Sequence, residues 1–137
     1  MADAPKPAID YKRVEDFQRT YANNVQLLSS NWDLELIFGE LDQSQGPNVV
    51  SQHTSITLPW AQAKVLLYFL SVHVGGHEAE FGRIKIPAGI IPEVAEQKPK
   101  ELDQVGEHLW KQFHKQYEDF IKANPESAPK KKPEKTQ

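Results

Sequence analysis

Two histidines, His73 and His77, have the spacing in this chain that most resembles a metal site. Side chains four residues apart lie on one face of a helix, and such a pair can bind zinc. A zinc hydrolase also needs a glutamate between the histidines as its general base. Val74, Gly75 and Gly76 stand there instead. We therefore expect no bound metal and interpret the pair as partly exposed, near a helix end or at a subunit contact.

Other polar groups could also do chemistry but lack the partners that catalysis needs. His53 alternates with Ser51 and Ser55, yet no nucleophile-elbow sequence surrounds either serine. The carboxylates of Asp33 and Glu35 are two residues apart, a pattern that a solvated sheet face produces routinely. The glycines form no phosphate-binding loop. We expect no enzymatic activity, no catalytic residues and no cofactor.

Composition limits the classes of partner. The chain has no cysteine, which excludes disulfides, thiol nucleophiles and cysteine-ligated metals. Its net charge of −3 provides no long-range attraction to nucleic acid. The first residues lack the apolar core of a signal peptide, and no apolar run reaches the roughly 18 residues of a membrane span. These features predict a cytoplasmic protein that does not contact a membrane.

The histidine pair belongs to a stretch that predicts one long helix, Pro59–Phe81. Ala63, Leu66 and Leu70 recur at the helical period and form one apolar stripe. Large apolar residues outside that stripe are Trp60, Val65, Tyr68, Phe69 and Val72. A helix that is apolar nearly all round must be covered on several sides, which favours a second helix or a second copy of the chain.

Local signals mark the ends of this helix. Pro59 suits the first turn, where its missing N–H costs nothing, and Ser55 or Thr57 could cap just before it. The Gly75-Gly76 dipeptide predicts a kink or a close approach of another backbone. Gly82 is typical of a residue that ends a helix in the left-handed conformation.

Three runs before the helix predict strands, namely Tyr21–Ser29, Trp32–Leu41 and Val49–Leu58. Ser30 and Asn31 are residue types that favour turns, and they predict an antiparallel hairpin between the first two strands. The third run alternates poorly: simple alternation places Val50, Gln52, Thr54, Ile56 and Leu58 on one face. It could be an edge strand or pair across a subunit boundary. The predicted class is α+β, a short antiparallel β-β-β sheet followed by one long packing helix and an appended C-terminal amphipathic helix.

The composition of the whole chain predicts which segments are ordered and which are disordered. We expect residues 1–20 to be partly disordered, 21–92 to form the core domain with an extended arm from Arg83 to Pro92, 93–99 to be a linker, 100–123 to form the C-terminal helix, and 124–137 to be a disordered lysine-rich tail. The C-terminal helix carries an aromatic stripe of Trp110, Phe113, Tyr117 and Phe120. The stripe could dock on its own core or bind a partner, and both alternatives stay open.

Four short motifs resemble a known family. They are Tyr21-Ala22-Asn23, Leu36-Ile37-Phe38-Gly39, Leu58-Pro59-Trp60 with Ala63-Lys64, and Glu80-Phe81-Gly82. In combination they resemble the bacterial family catalogued as domain of unknown function 3467, over residues 21–84. The resemblance implies a short β-β-β-α unit and implies no activity.

These observations favour a non-enzymatic oligomerisation or protein-interaction module, which we expect to be a homodimer. Candidate interface residues are Trp60, Tyr68, Phe69, Val72, Trp110, Phe113, Tyr117 and Phe120. A protein partner for the 100–123 helix is a further expectation. The alternative is a nucleic-acid-binding accessory protein that uses the sheet face and the lysine-rich tail. Residues 21–92 disfavour it, since they hold Lys64, Arg83 and Lys85 against six carboxylates.

Overall fold

The computed structural model of the chain describes residues 4–5, 8–42, 44, 46, 48–92, 94 and 98–130. The chain divides into two compact units, Met1–Ser71 and Val72–Gln137. The division falls inside one continuous helix. The first unit therefore holds everything that precedes the helix together with its first half.

The first unit is built on a three-stranded antiparallel sheet in the order β1-β2-β3. The strands are β1 (Asn24–Ser29), β2 (Asp33–Leu41) and β3 (Val50–Pro59), and helix α1 (Trp60–Phe81) follows β3 directly. The second unit contains helix α2 (Gln104–Ala123) and a short 3-10 helix, Pro125–Ser127. The predicted α+β class, with three strands, one long helix and a C-terminal helix, is confirmed.

The predicted hairpin between β1 and β2 is confirmed, and one serine organises its turn. The hydroxyl of Ser30 accepts hydrogen bonds from the backbone N–H groups of Trp32 and Asp33, both at 3.1 Å. The same hydroxyl lies 2.9 Å from Oδ1 of Asp33, to which it donates. These bonds close a three-residue loop, after which Ser29 pairs with Leu34.

A β-bulge explains why β3 alternates poorly. Phe38 pairs with Thr54, but the next residue of β2, Gly39, pairs with Gln52, which leaves His53 as the extra residue. An extra residue reverses the alternation of faces beyond it. The predicted face, which put Gln52 on the same side as Thr54, is therefore wrong.

The predicted start of the long helix is wrong by one residue. Pro59 is the last residue of β3 and not part of the first helical turn, and both proposed caps, Ser55 and Thr57, lie within the strand. The predicted end is confirmed, because Gly82 has a φ of 91° and its N–H donates to the carbonyl of Glu78 at 2.9 Å.

The Gly75-Gly76 dipeptide does not interrupt α1. A Cβ atom added at either glycine would meet nothing within 4 Å in the described part of the chain. The close backbone approach that the pair predicts is therefore not made by any described residue.

Helix α2 begins at Gln104, four residues after the predicted start, because Asp103 caps it. The Asp103 carboxylate accepts from the N–H of Gly106 at 2.7 Å, and this fixes the first turn. Asn124-Pro125 ends the helix as predicted. Of the predicted linker, residues 93 and 95–97 lie outside the described residues, as do 131–137 of the predicted tail.

The first residues of the predicted tail form contacts within the second unit. Glu126 accepts from Nη1 of Arg83 at 2.6 and 2.7 Å and from the N–H of Ile86 at 3.3 Å. These hydrogen bonds, above all the one from Arg83, lower the pKa of Glu126 below its ordinary value of 4.5. Ser127 is buried and donates to the Asn124 carbonyl at 2.6 Å. The contacts of this end of the chain therefore extend beyond Asn124.

Candidate functional site

The main candidate site is an open apolar groove within the first unit, between one face of the sheet and α1. Its volume is about 820 Å³. The sheet contributes Val25, Leu27, Leu34, Leu36 and Phe38. The helix contributes Trp60, Ala63, Lys64, Leu66, Leu67 and Leu70. We refer to this surface as the main groove.

Strand register places the apolar side chains on the groove side of the sheet. Leu27, Leu36 and Ile56 lie directly opposite one another across the three strands. Residues one position away point to the other face, because successive side chains of a strand alternate. On that face Glu35 accepts from the hydroxyl of Ser55 at 2.5 Å. The sheet is thus apolar on one side and largely polar on the other.

A smaller groove of about 310 Å³ lies along the same helix. It is lined by Leu36, Phe38, Ile56, Leu58, Gln62, Leu66 and Phe69. Because Leu36 and Leu66 line both grooves, they mark the line along which α1 lies over the sheet. Phe69, a predicted interface residue, belongs to the smaller groove.

Little of this apolar surface is covered. Among the described residues, Leu36 is the one buried hydrophobic side chain, with 9% of its area exposed. No described residue of α1 is buried, and Leu67 is 65% exposed. The expectation that α1 needs cover on several sides therefore stands, and the cover is not supplied by the described part of this chain.

The predicted interface residues on α1 face different directions. The Trp60 side chain lines the main groove and is anchored by its Nε1–H, which donates to the Ser30 carbonyl at 3.0 Å. Tyr68 and Val72 line neither groove and are both exposed. Tyr68 lies roughly 160° around the helix from Leu66, on the side away from the sheet.

The four aromatic residues predicted as a stripe on α2 differ in their burial. Trp110 and Tyr117 are half-buried, whereas Phe113 and Phe120 are exposed, Phe113 by 62%. Nε1 of Trp110 is buried and, within the part of the chain that the structure describes, has no hydrogen-bond partner. Partner binding by this helix remains a prediction.

His53 has a structural role in the bulge. Its Nε2 lies 2.9 Å from the Tyr21 carbonyl and its Nδ1 lies 2.7 Å from the Thr54 hydroxyl. A carbonyl can only accept, so Nε2 carries the proton and Nδ1 accepts from the threonine. Both ring nitrogens of His53 are therefore used by partners other than a serine, and Ser55 bonds to Glu35 instead.

The other chemically suggestive groups are not assembled into a site either. The His77 ring packs on Phe81 with centroids 4.9 Å apart, and both His73 and His77 are exposed. No group of three or more potential metal ligands occurs among the described residues. Asp33 and Glu35 each accept a hydrogen bond from a serine of the sheet or its turn.

Two residues that position the sheet were not singled out as sites from the sequence. Asn23 accepts from the Leu41 N–H at 2.8 Å through Oδ1, and its own N–H donates to the Gly39 carbonyl at 3.1 Å. A Cβ on Gly39 would lie 2.6 Å from the carbonyl oxygen of Ser51. The sequence did contain a signal for them, because Asn23 ends the Tyr-Ala-Asn motif and Gly39 ends the Leu-Ile-Phe-Gly motif.

Comparison with known proteins gives one family and no activity. A family model described as "Protein of unknown function (DUF3467)" matches residues 2–86, which include the sheet and α1. No curated protein and no solved structure matches the chain. In the described residues, no helix is both long and apolar enough to cross a membrane.

Proposed function

The chain belongs to the DUF3467 family of proteins of unknown function, and from its geometry we propose that it is a non-enzymatic interaction module that forms a homodimer. The observation that carries this proposal is the uncovered main groove, in which a sheet face and a helix present apolar side chains, of which Leu36 is the one that is buried among the described residues. Soluble monomers seldom expose contiguous apolar patches of this kind.

The free energy available from covering the groove is of the size that association requires. Fully burying one large apolar side chain contributes about 1.5–3 kcal/mol, so a half-exposed one gains roughly 1 kcal/mol. Five residues that line the main groove are about half exposed or more, namely Val25, Leu27, Trp60, Leu67 and Leu70. Five such residues on each of two copies contribute about 10 kcal/mol, which is comparable to the estimated 4–15 kcal/mol cost of association.

A pair of neighbouring leucines tests the proposal with a matched control. Leu27 lines the main groove and Leu28 points to the opposite face of the same strand, with similar exposure of 55% and 48%. Leu27→Lys places a charge in the covered groove and should convert the dimer to a monomer in light scattering. Leu28→Lys, next to Glu35 of β2, should leave the dimer intact. Equal masses for the two variants would contradict the proposal.

Truncation after Pro92 distinguishes a second copy from the C-terminal helix as the cover of the groove. If another copy covers it, the truncated chain should keep both its dimeric mass and its native circular dichroism. A truncated chain that is folded but monomeric would instead show that the dimer needs residues beyond Pro92.

We also propose that α2 offers a second contact surface to a protein partner. Its exposed face carries Val105, Leu109, Phe113 and Phe120. Phe113→Glu should reduce co-purification of a protein partner without changing the oligomeric mass. Retention of every partner by this variant would argue against the assignment.

The nucleic-acid alternative gains no support from the site. His53 uses both ring nitrogens within the sheet, and the polar sheet face carries Glu35. A duplex-binding face normally needs clustered lysine or arginine. The alternative would be revived if the protein carried nucleic acid that is lost at high salt and if Leu27→Lys did not change the oligomeric mass.

A further inference from the structure

One stripe of residues runs along the whole length of α1 and extends beyond the main groove. Seven residues follow one another at intervals of four and three, namely Trp60, Lys64, Leu67, Ser71, Val74, Glu78 and Phe81. This alternation is the heptad pattern of helices that pack side by side over a long distance. The first three residues of the stripe line the main groove, and Phe81 at its far end is 70% exposed.

The stripe has the same order of chemical types from either end. An aromatic residue is followed by a charged one and then by an aliphatic one, and Ser71 stands at the centre. The two charged residues, Lys64 and Glu78, have opposite signs. A contact between identical subunits across a two-fold axis must be complementary to itself. An antiparallel pair of these helices meets that requirement, because each lysine then faces a glutamate.

The charges of α1 are also arranged against the dipole of their own helix. Helices favour acidic residues in the first turn and basic residues in the last. Helix α1 has no acidic residue in its first turn and no basic residue in its last. Lys64 lies in its first half, and Glu78 and Glu80 lie near its end. An antiparallel neighbour removes this conflict, since each charge then lies beside the opposite end of the other helix.

We propose that the main groove is occupied by α1 of a second copy, antiparallel, with the two-fold axis at Ser71 and reciprocal ion pairs between Lys64 and the partner's Glu78. This assignment rests on the proposed homodimer and adds its register. Lys64 is the one charged residue that lines the main groove, and it makes no ion pair within the described residues.

Hydrogen bonds already present are compatible with this register. The Ser71 hydroxyl donates to the Leu67 carbonyl of its own helix at 2.8 Å. Burial at the two-fold axis therefore leaves no unpaired donor. Glu78 accepts from the Ile84 N–H at 2.8 Å through Oε2, which leaves Oε1 to accept from a lysine.

Charge reversal on the full chain tests the register. Lys64→Glu and Glu78→Lys each replace two attractions by two repulsions, so each should raise the dimer Kd about tenfold at low salt, as measured by sedimentation equilibrium. Glu80→Lys makes the same charge change roughly 160° around the helix from Glu78 and should have little effect. The double variant Lys64→Glu/Glu78→Lys should return to the wild-type Kd.

Mixing the two single variants provides a sharper readout. The mixed dimer restores opposite charges at both ends, so native mass spectrometry with one isotope-labelled variant, mixed in equal amounts, should show it well above the one-half share that random pairing gives. A parallel pair would place Lys64 beside the partner's Lys64, and Lys64→Glu would not weaken it.

The outcomes separate the register from the dimer itself. A dimeric wild type that Leu27→Lys dissociates, but whose Kd is unchanged by Lys64→Glu and Glu78→Lys, would overturn the register and leave the homodimer standing. A folded wild type that is monomeric at every concentration would overturn both.

Discussion

A methyl group added at Gly39 should destabilise the fold more than any exposed alanine substitution. The new Cβ would lie 2.6 Å from the Ser51 carbonyl oxygen, 2.9 Å from Cγ1 of Val50 and 3.0 Å from Cα of Gln52. Two of these atoms are backbone, so strand β3 must move away where its bulge holds it against β2. Overpacking of this kind typically costs 1–3 kcal/mol, and we expect a value near 3 kcal/mol for Gly39→Ala.

Gly76→Ala is the matched control, because it makes the same chemical change with the opposite expected sign. A Cβ at Gly76 meets nothing within 4 Å in the described residues, and alanine is favoured over glycine in a helix by about 1 kcal/mol. Gly76 also lies outside the heptad stripe of α1.

Urea unfolding followed by circular dichroism, at one fixed protein concentration, compares the two variants. With a slope of about 1–3 kcal/mol per molar urea, Gly39→Ala should lower the midpoint by roughly 1–3 M, whereas Gly76→Ala should raise it. An unchanged midpoint for Gly39→Ala would show that β3 is not held closely at the bulge, and the account of His53 and Asn23 would fail with it.

Further predictions concern the second unit. Glu126 should titrate below its ordinary pKa of 4.5 by carbon-detected NMR, and Arg83→Gln should return it toward that value. Because the folded pKa is lowered, the stabilisation is complete above about pH 4.5 and is lost as the pH falls through the folded pKa. Asp103→Ala should cost about 1 kcal/mol, seen as reduced protection of the first α2 amides in hydrogen exchange. Deleting 131–137 should leave the melting temperature unchanged, whereas deleting 126–137 should lower it, because Arg83 then loses its partner.

The strands and helices were accessible from the sequence because their signals are local. Alternation in β2 and the 3.6-residue period in α2 depend only on residues within each element, and the Ser30 turn depends on three neighbours. Gly82 likewise ends α1 through its own backbone conformation.

The errors arise where contacts between distant residues decide the outcome. The bulge at His53 is held by the Tyr21 carbonyl, 32 residues away, so alternation within β3 alone placed Gln52 on the wrong face. The contact of Glu126 with Arg83, 43 residues earlier, is likewise invisible to the polar composition from which the 124–137 tail is predicted to be disordered. Only one part of the candidate site, the excess of apolar surface on α1, was predictable from the sequence. The other part is the apolar face of the sheet, and its formation depends on the register between β1 and β2.

The most direct test of the proposed dimer is an isotope-filtered NOE spectrum of wild-type protein mixed from labelled and unlabelled copies. We expect intermolecular cross-peaks between the methyl groups of Val25 or Leu27 and side chains of the partner's α1. Cross-peaks from these methyl groups solely to their own chain, in a folded sample, would show that a second copy does not cover the main groove.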